Sequence, residues 1–113
     1  MSNQGLSKRE RVTRKTDFSR VFTQGKALRN DSMLIRYLPN QLDYSRLGVV
    51  ASKKMVRKSS ARNRIKRLIR EAFRLNKDKL PRGVDMIIGL NRNRNITLQD
   101  VEANLRRLWT RHA

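Results

Sequence analysis

The densest chemistry in this sequence is cationic. Between Ser52 and Arg70 stand Lys53, Lys54, Arg57, Lys58, Arg62, Arg64, Lys66, Arg67 and Arg70, nine cations in nineteen residues with no acid among them. Guanidinium forks and ammonium groups at this density suit phosphate oxygens. Each phosphate neutralised releases counterions, so such binding weakens steeply with salt. Asn63, inside the run, adds directional hydrogen bonds that suit bases or riboses. The alternative is a solvated helix face. Such faces usually mix signs, whereas Glu71 is the only acid from Ser59 to Leu75.

Bond-breaking chemistry is poorly supplied. The one histidine, His112, stands at the end of the chain. The nine acids, Glu10, Asp17, Asp31, Asp43, Glu71, Asp78, Asp85, Asp100 and Glu102, are scattered, with no close pair to suggest a two-metal nuclease. The expectation is a protein with no catalytic residue and no metal site of its own.

The composition agrees. A chain of 113 residues suits one domain with one core. It carries 28 Lys and Arg against 9 acids, a formal net charge of +19. That excess repels itself unless a polyanion neutralises it. Nucleic acid and an anionic membrane surface are the candidates. No apolar run approaches the roughly 18 residues of a membrane span, and Met1 to Arg14 has no apolar stretch of a secretory signal. Nucleic acid is therefore the expected partner. The absence of cysteine fits a reducing cytoplasm.

The elements that must hold the cations follow from periodicity. Residues 1–15 are polar and basic and read as a flexible arm, with residues 16–113 as the single domain. Asp17 to Gln24 reads as a short helix capped by Thr16 and followed by Gly25, with Phe18, Val21 and Phe22 on one face. Met33 to Leu38 and Leu47 to Ala51 read as strands, with a short extra strand at Ala27 to Arg29. Ser59 to Leu75 is the clearest helix, capped by Ser59 or Ser60. Its apolar stripe is Ala61, Ile65, Leu68, Ile69, Ala72 and Phe73, opposite Arg62, Asn63, Lys66, Arg67, Arg70 and Arg74. Val84 to Leu90 is a strand. Thr97 to Arg111 is the last helix, with Thr97 and Asp100 as its cap and Leu98, Val101, Leu105, Leu108 and Trp109 as its buried stripe. The whole is a small α+β domain of two layers, one sheet with helices against it.

Two weaker features accompany the cationic run. Phe18 and Phe22 can be core residues, or Phe18 can lie at a groove edge and stack on an unpaired base. Arg92 and Arg94 are either phosphate contacts or part of a solvated loop.

The run from Ala61 to Phe73, with Arg62-Asn63-Arg64 at its head, resembles the RNR signature of the bacterial ribonuclease P protein subunit. Gly48 to Lys54 resembles the strand and Ser-Lys-Lys turn that lead into it there. Asp17-Phe18, Val21-Phe22 and Gly25 resemble the family's first helix, and the likeness spans about residues 8 to 110. It implies an α-β-β-β-α-β-α fold similar to the second domain of ribosomal protein S5, with a left-handed βαβ crossover carrying the RNR helix. It also implies the accessory subunit of a ribonucleoprotein endoribonuclease that removes the 5′ leader from precursor tRNA. Catalysis then resides in the RNA subunit, with magnesium (Mg2+) bound mainly by that RNA and the substrate. On this resemblance Lys53, Lys54, Arg57, Arg62, Asn63, Arg64, Lys66, Arg67 and Arg70 fall on the part that faces the catalytic RNA. Phe18 and Phe22 fall on the aromatics of the groove for the single-stranded leader. One position departs. Family members often carry a leader-facing aromatic on the strand after the first helix, and here Arg36 stands there, with Tyr37 pointing to the other face. Either Arg36 meets the leader through phosphates or base stacking, or the correspondence shifts by one residue.

The expected partners are thus the catalytic RNA and the precursor tRNA leader, with no membrane and no stable protein partner. Two other readings compete: a ribosomal protein, and a DNA-binding factor. The latter is disfavoured by the lack of helix-turn-helix spacing and zinc ligands.

Overall fold

The computed structural model describes residues 7–29, 33–51, 56–90 and 97–112. The elements run α1 (Lys15–Gln24), β1 (Lys26–Arg29), β2 (Met33–Pro39), β3 (Arg46–Val50), α2 (Ser59–Leu75), β4 (Val84–Leu90) and α3 (Leu98–His112). This is the expected α-β-β-β-α-β-α order.

The four strands form one sheet in the order β1-β2-β4-β3. β1 pairs antiparallel with β2, and β2 antiparallel with β4. β3 and β4 are parallel, joined through α2. β4 is central and paired on both edges, and helices pack over both its faces along Val84 to Ile88. Val84, Asp85, Met86, Ile87 and Ile88 are consecutively buried, the continuous run expected of a strand enclosed on two sides.

Strand alternation sorts the side chains onto two faces. Met33, Ile35, Leu47, Val84, Met86 and Ile88 join Ile65, Ile69, Ala72 and Phe73 of α2 and Val101 and Leu105 of α3 in the main core. Each fully buried Val, Leu, Ile, Met or Phe among them contributes about 1.5–3 kcal/mol. The other face carries Leu34, Arg36, Arg46, Gly48, Val50, Asp85, Ile87 and Gly89, and α1 covers part of it. That cover is why Val21 is buried outside the main core.

The helix ends differ from expectation in two places. α1 starts at Lys15 with Arg14 in the cap position, so Thr16 lies inside the helix and caps nothing. α2 has Lys58 in its cap position with no side-chain cap, so neither Ser59 nor Ser60 plays that part. Its first helical bond runs from the Arg62 N–H to the Lys58 carbonyl. The α3 cap forms as expected. The Thr97 N–H donates to Asp100 Oδ2 at 2.9 Å, and the Asp100 N–H to Thr97 Oγ1 at 3.2 Å. The side chains of Leu108 and Trp109 lie outside the described residues.

Residues 1–6 of the expected arm also lie outside the described residues. Residues 7–14 are not a free arm. Arg11 bridges Leu47 on the outer edge of β3, and the Val12 N–H donates to the Leu47 carbonyl at 2.9 Å. Val12 is buried, and Glu10 pairs with Lys77 just beyond α2. The lone apolar Val12 and the acid two residues before it tie this stretch to the domain.

Candidate nucleic-acid interface

α2 presents the cations as two rows. Asn63, Arg64 and Arg67 are exposed. Arg62, Lys66 and Arg70 recur every fourth residue and are half-buried along the flank beside them. The helix can hold this charge because Ile65, Ile69, Ala72 and Phe73 anchor its opposite side. Its one acid is already engaged. Arg74 donates to Glu71 through Nε at 3.0 Å and Nη2 at 2.6 Å, and these bonds hold the Glu71 carboxyl below the usual range.

Arg62 has a structural task besides. Its Nη1 donates to the carbonyls of Val56 at 2.9 Å and Arg57 at 2.8 Å. It thereby ties the segment that enters α2, whose buried Val56 plugs into the core. Arg57 itself is exposed. Lys53 and Lys54, expected beside these cations, lie outside the described residues, as do Arg92 and Arg94.

The opposite face of the sheet carries a different surface, a shallow cavity of about 170 Å³. It is lined by Phe22, Leu34, Arg36, Val50, Ile87, Gly89 and Leu90. Its depth comes from β4, where Gly89 has no side chain between its register partners Leu34 and Val50. Phe22 is 43% exposed, so it is not a core residue. The Arg36 guanidinium carbon lies 5.3 Å from the Phe22 ring centre, within cation–π range. Arg36 is on the cavity face and Tyr37 packs toward the core. Phe18 lies nearby over Gly48, where an added Cβ would come within 2.8 Å of its Cζ.

One group that fixes α1 over this face was only a scattered acid in the sequence. Asp85 is fully buried and accepts from Arg46 Nε at 2.7 Å, Arg46 Nη2 at 2.6 Å, Asn40 Nδ2 at 3.0 Å and Arg20 Nη2 at 3.3 Å. Burial alone would push its carboxyl up. The bonds from Arg46 and Asn40 and the charges of Arg46 and Arg20 outweigh that and hold it below the usual range. Arg20 and Asp17 belong to α1, and Asp17 also pairs with Arg46 at 3.7 Å. Polar bonds thus tie the helix carrying Phe18 and Phe22 to β3 and β4. The signal available in advance was the interruption of an apolar strand by Asp85.

Among the described residues no three His, Cys, Asp or Glu side chains converge to hold a metal. Among them also, no helix is long and apolar enough to cross a membrane.

Comparison with known proteins fits this geometry. A family model described as Ribonuclease P matches residues 6–113. The ribonuclease P protein component of Thermotoga maritima is 40% identical over 85 residues, covering 75% of this chain and 72% of that one. That of Chromohalobacter salexigens is 39% identical over 116 residues, covering 98% and 88%. A solved structure of the Thermotoga maritima ribonuclease P protein superposes with a TM-score of 0.81 at 34% identity, covering 90% of this chain and 96% of that one. With the fold and nearly the whole length matched, the chain belongs to the family of ribonuclease P protein components.

Proposed function

We propose that this chain is the RNA-binding subunit of a ribonuclease P that removes the 5′ leader from precursor tRNA. In this reading the exposed face of α2, with Asn63, Arg64 and Arg67 at its crest, grips the catalytic RNA. The groove beside Phe18, Phe22 and Arg36 takes the single-stranded leader. The observation that carries the reading is the separation of these surfaces. The exposed cations of α2 lie on one side of the sheet, and a largely apolar, aromatic-edged cavity of about 170 Å³ lies on the other. Phosphates favour the first, and unpaired bases that stack on aromatic rings favour the second.

The protein's side chains break no bond in this account. They screen phosphate repulsion and hold the leader in register, which lowers the magnesium needed for substrate binding and turnover. Magnesium belongs to the RNA and its substrate, and the setting is the cytoplasm. Reconstitution tests the reading. The chain should stimulate 5′ processing of precursor tRNA by its cognate catalytic RNA at low magnesium. Absence of stimulation refutes it.

A further inference from the structure

Two arginines from distant parts of the chain repel one another across the seam between the N-terminal segment and α2. Arg11 bridges Leu47 in parallel on the outer edge of β3. The next residue, Val12, is buried on the α1 side, close to Gly48. Successive side chains of extended backbone point to opposite faces, so Arg11 points to the α2 side. There its charge acts on Arg70, the last of the half-buried row Arg62, Lys66 and Arg70. Burial and then the charge of Arg11 hold the Arg70 guanidinium below its usual range.

The acids closest in sequence do not relieve this repulsion. Glu10 precedes Arg11 but pairs with Lys77, and Glu71 follows Arg70 but pairs with Arg74. Among the described residues neither Arg11 nor Arg70 is in an ion pair. The Arg11 Nε is buried without a hydrogen-bond partner. A buried donor with no acceptor and a pair of like charges both weaken a fold. One oxyanion held by the two guanidiniums would offset the repulsion between them.

The geometry points to a phosphate site formed jointly by Arg11 and Arg70, in which the N-terminal segment and α2 grip one phosphodiester of a bound RNA. The site rests on the reading that the chain binds RNA. It differs from the exposed crest of α2 in needing two elements. It exists only while residues 11 and 12 are docked on β3, so filling it also holds that segment in place. The phosphodiester comes from the catalytic RNA or from the leader of the substrate.

The test uses the full chain with Arg11→Gln, Arg70→Gln and the double variant, and Arg14→Gln as a charge-matched control on the same segment. Thermal unfolding of the free proteins at low salt is measured first. Affinity for the catalytic RNA is then titrated against salt, and holoenzyme affinity for precursor tRNA is measured with and without a leader. Arg11→Gln should raise the unfolding temperature of the free protein. It should also weaken RNA binding about tenfold at about 0.1 M salt and lower the salt slope by about one. Arg14→Gln should do much less of each. The double variant should lose less than the sum of the singles, because one phosphate is shared. Loss confined to the catalytic RNA assigns the phosphate there, and loss only with the leader assigns it to the substrate. If wild type binds RNA and Arg11→Gln keeps both affinities and the slope, the site is refuted while the functional reading stands. Lower stability of Arg11→Gln with an unchanged slope also refutes it. If wild type binds no RNA, the functional reading falls and the site with it.

Discussion

Arg46 holds Asp85 by two hydrogen bonds, 2.7 Å from Nε to Oδ1 and 2.6 Å from Nη2 to Oδ2. The two are register partners on the parallel strands β3 and β4, so the backbone itself sets the fork opposite the carboxylate. Removing one partner of a buried pair leaves an uncompensated charge and costs about 3–5 kcal/mol. Arg46 retains 20% side-chain exposure, and Arg20 and Asn40 still reach Asp85. Arg46→Ala should therefore fall near the lower end, about 3 kcal/mol, read by urea unfolding. An unchanged midpoint would show that the pair contributes little.

The same carboxylate makes stability depend on pH. Its folded pKa lies below the ordinary aspartate value of 3.8. The unfolded chain therefore binds the proton more readily, and stability rises with pH through this window. The contribution is fully present above the ordinary value and disappears as pH falls through the lowered one. Asp85→Asn should be less stable at neutral pH, with a flatter stability curve between about pH 5 and about pH 2. Parallel curves for the two proteins would rule out this origin of the acid sensitivity.

Arg62 and Arg67 stand five residues apart and should behave differently when truncated. Arg67 is exposed, so Arg67→Ala should leave stability within about 0.5 kcal/mol and reduce the salt slope of RNA binding by about one. Arg62→Ala removes the donors to Val56 and Arg57. It should lower the unfolding temperature as well as RNA affinity. Equal melting curves for the two variants would contradict the tether.

Gly48 gives the groove hypothesis a test that leaves the aromatic residues in place. An alanine methyl there would crowd Phe18 Cζ at 2.8 Å, Cε1 at 3.0 Å and Val12 Cβ at 3.3 Å. Phe18→Ala should weaken leader-dependent substrate affinity by about 1–3 kcal/mol, the range for one base stacked on an aromatic ring. Gly48→Ala should move the same affinity in the same direction by displacing the ring. Affinity for leaderless substrate should hold in both, and a loss there would point to general misfolding.

Gly25 is needed for space rather than for an unusual backbone angle. An added Cβ would meet the carbonyl oxygens of Val21 at 2.5 Å and Tyr37 at 2.7 Å. Both are backbone atoms, so α1 and β2 must separate to admit it. Gly25→Ala should cost about 1–3 kcal/mol in chemical denaturation. A neutral result would mean that α1 shifts freely on the sheet.

Periodic features were readable in advance, and single contacts were not. The stripe Ile65, Ile69, Ala72 and Phe73 declares α2 because burial of one helix face repeats along the chain. The Thr97–Asp100 cap declares itself because both partners lie within one turn. Val12 stands alone among polar residues, so nothing local marked it as buried. Asp85 is one acid among nine, and its partners Asn40 and Arg46 are 45 and 39 residues away. Arg62 read as a ridge cation because a sequence does not reveal which carbonyls will approach it. Arg36 and Tyr37 were separable, since strand alternation alone sends them to opposite faces.

The strand order has a consequence for how the chain assembles. β4, the last strand to be synthesised, must enter between β2 and β3, which are already made. Until it does, β2 and β3 have unpaired edges facing the gap, a condition that invites wrong pairing. The cationic helix is also completed before β4, so it is available to polyanions while the sheet is still open. Folding of this domain should therefore be governed by the arrival of residues 84–90 rather than by formation of α2. A nascent chain stopped short of β4 would display its charge without the sheet needed to orient it.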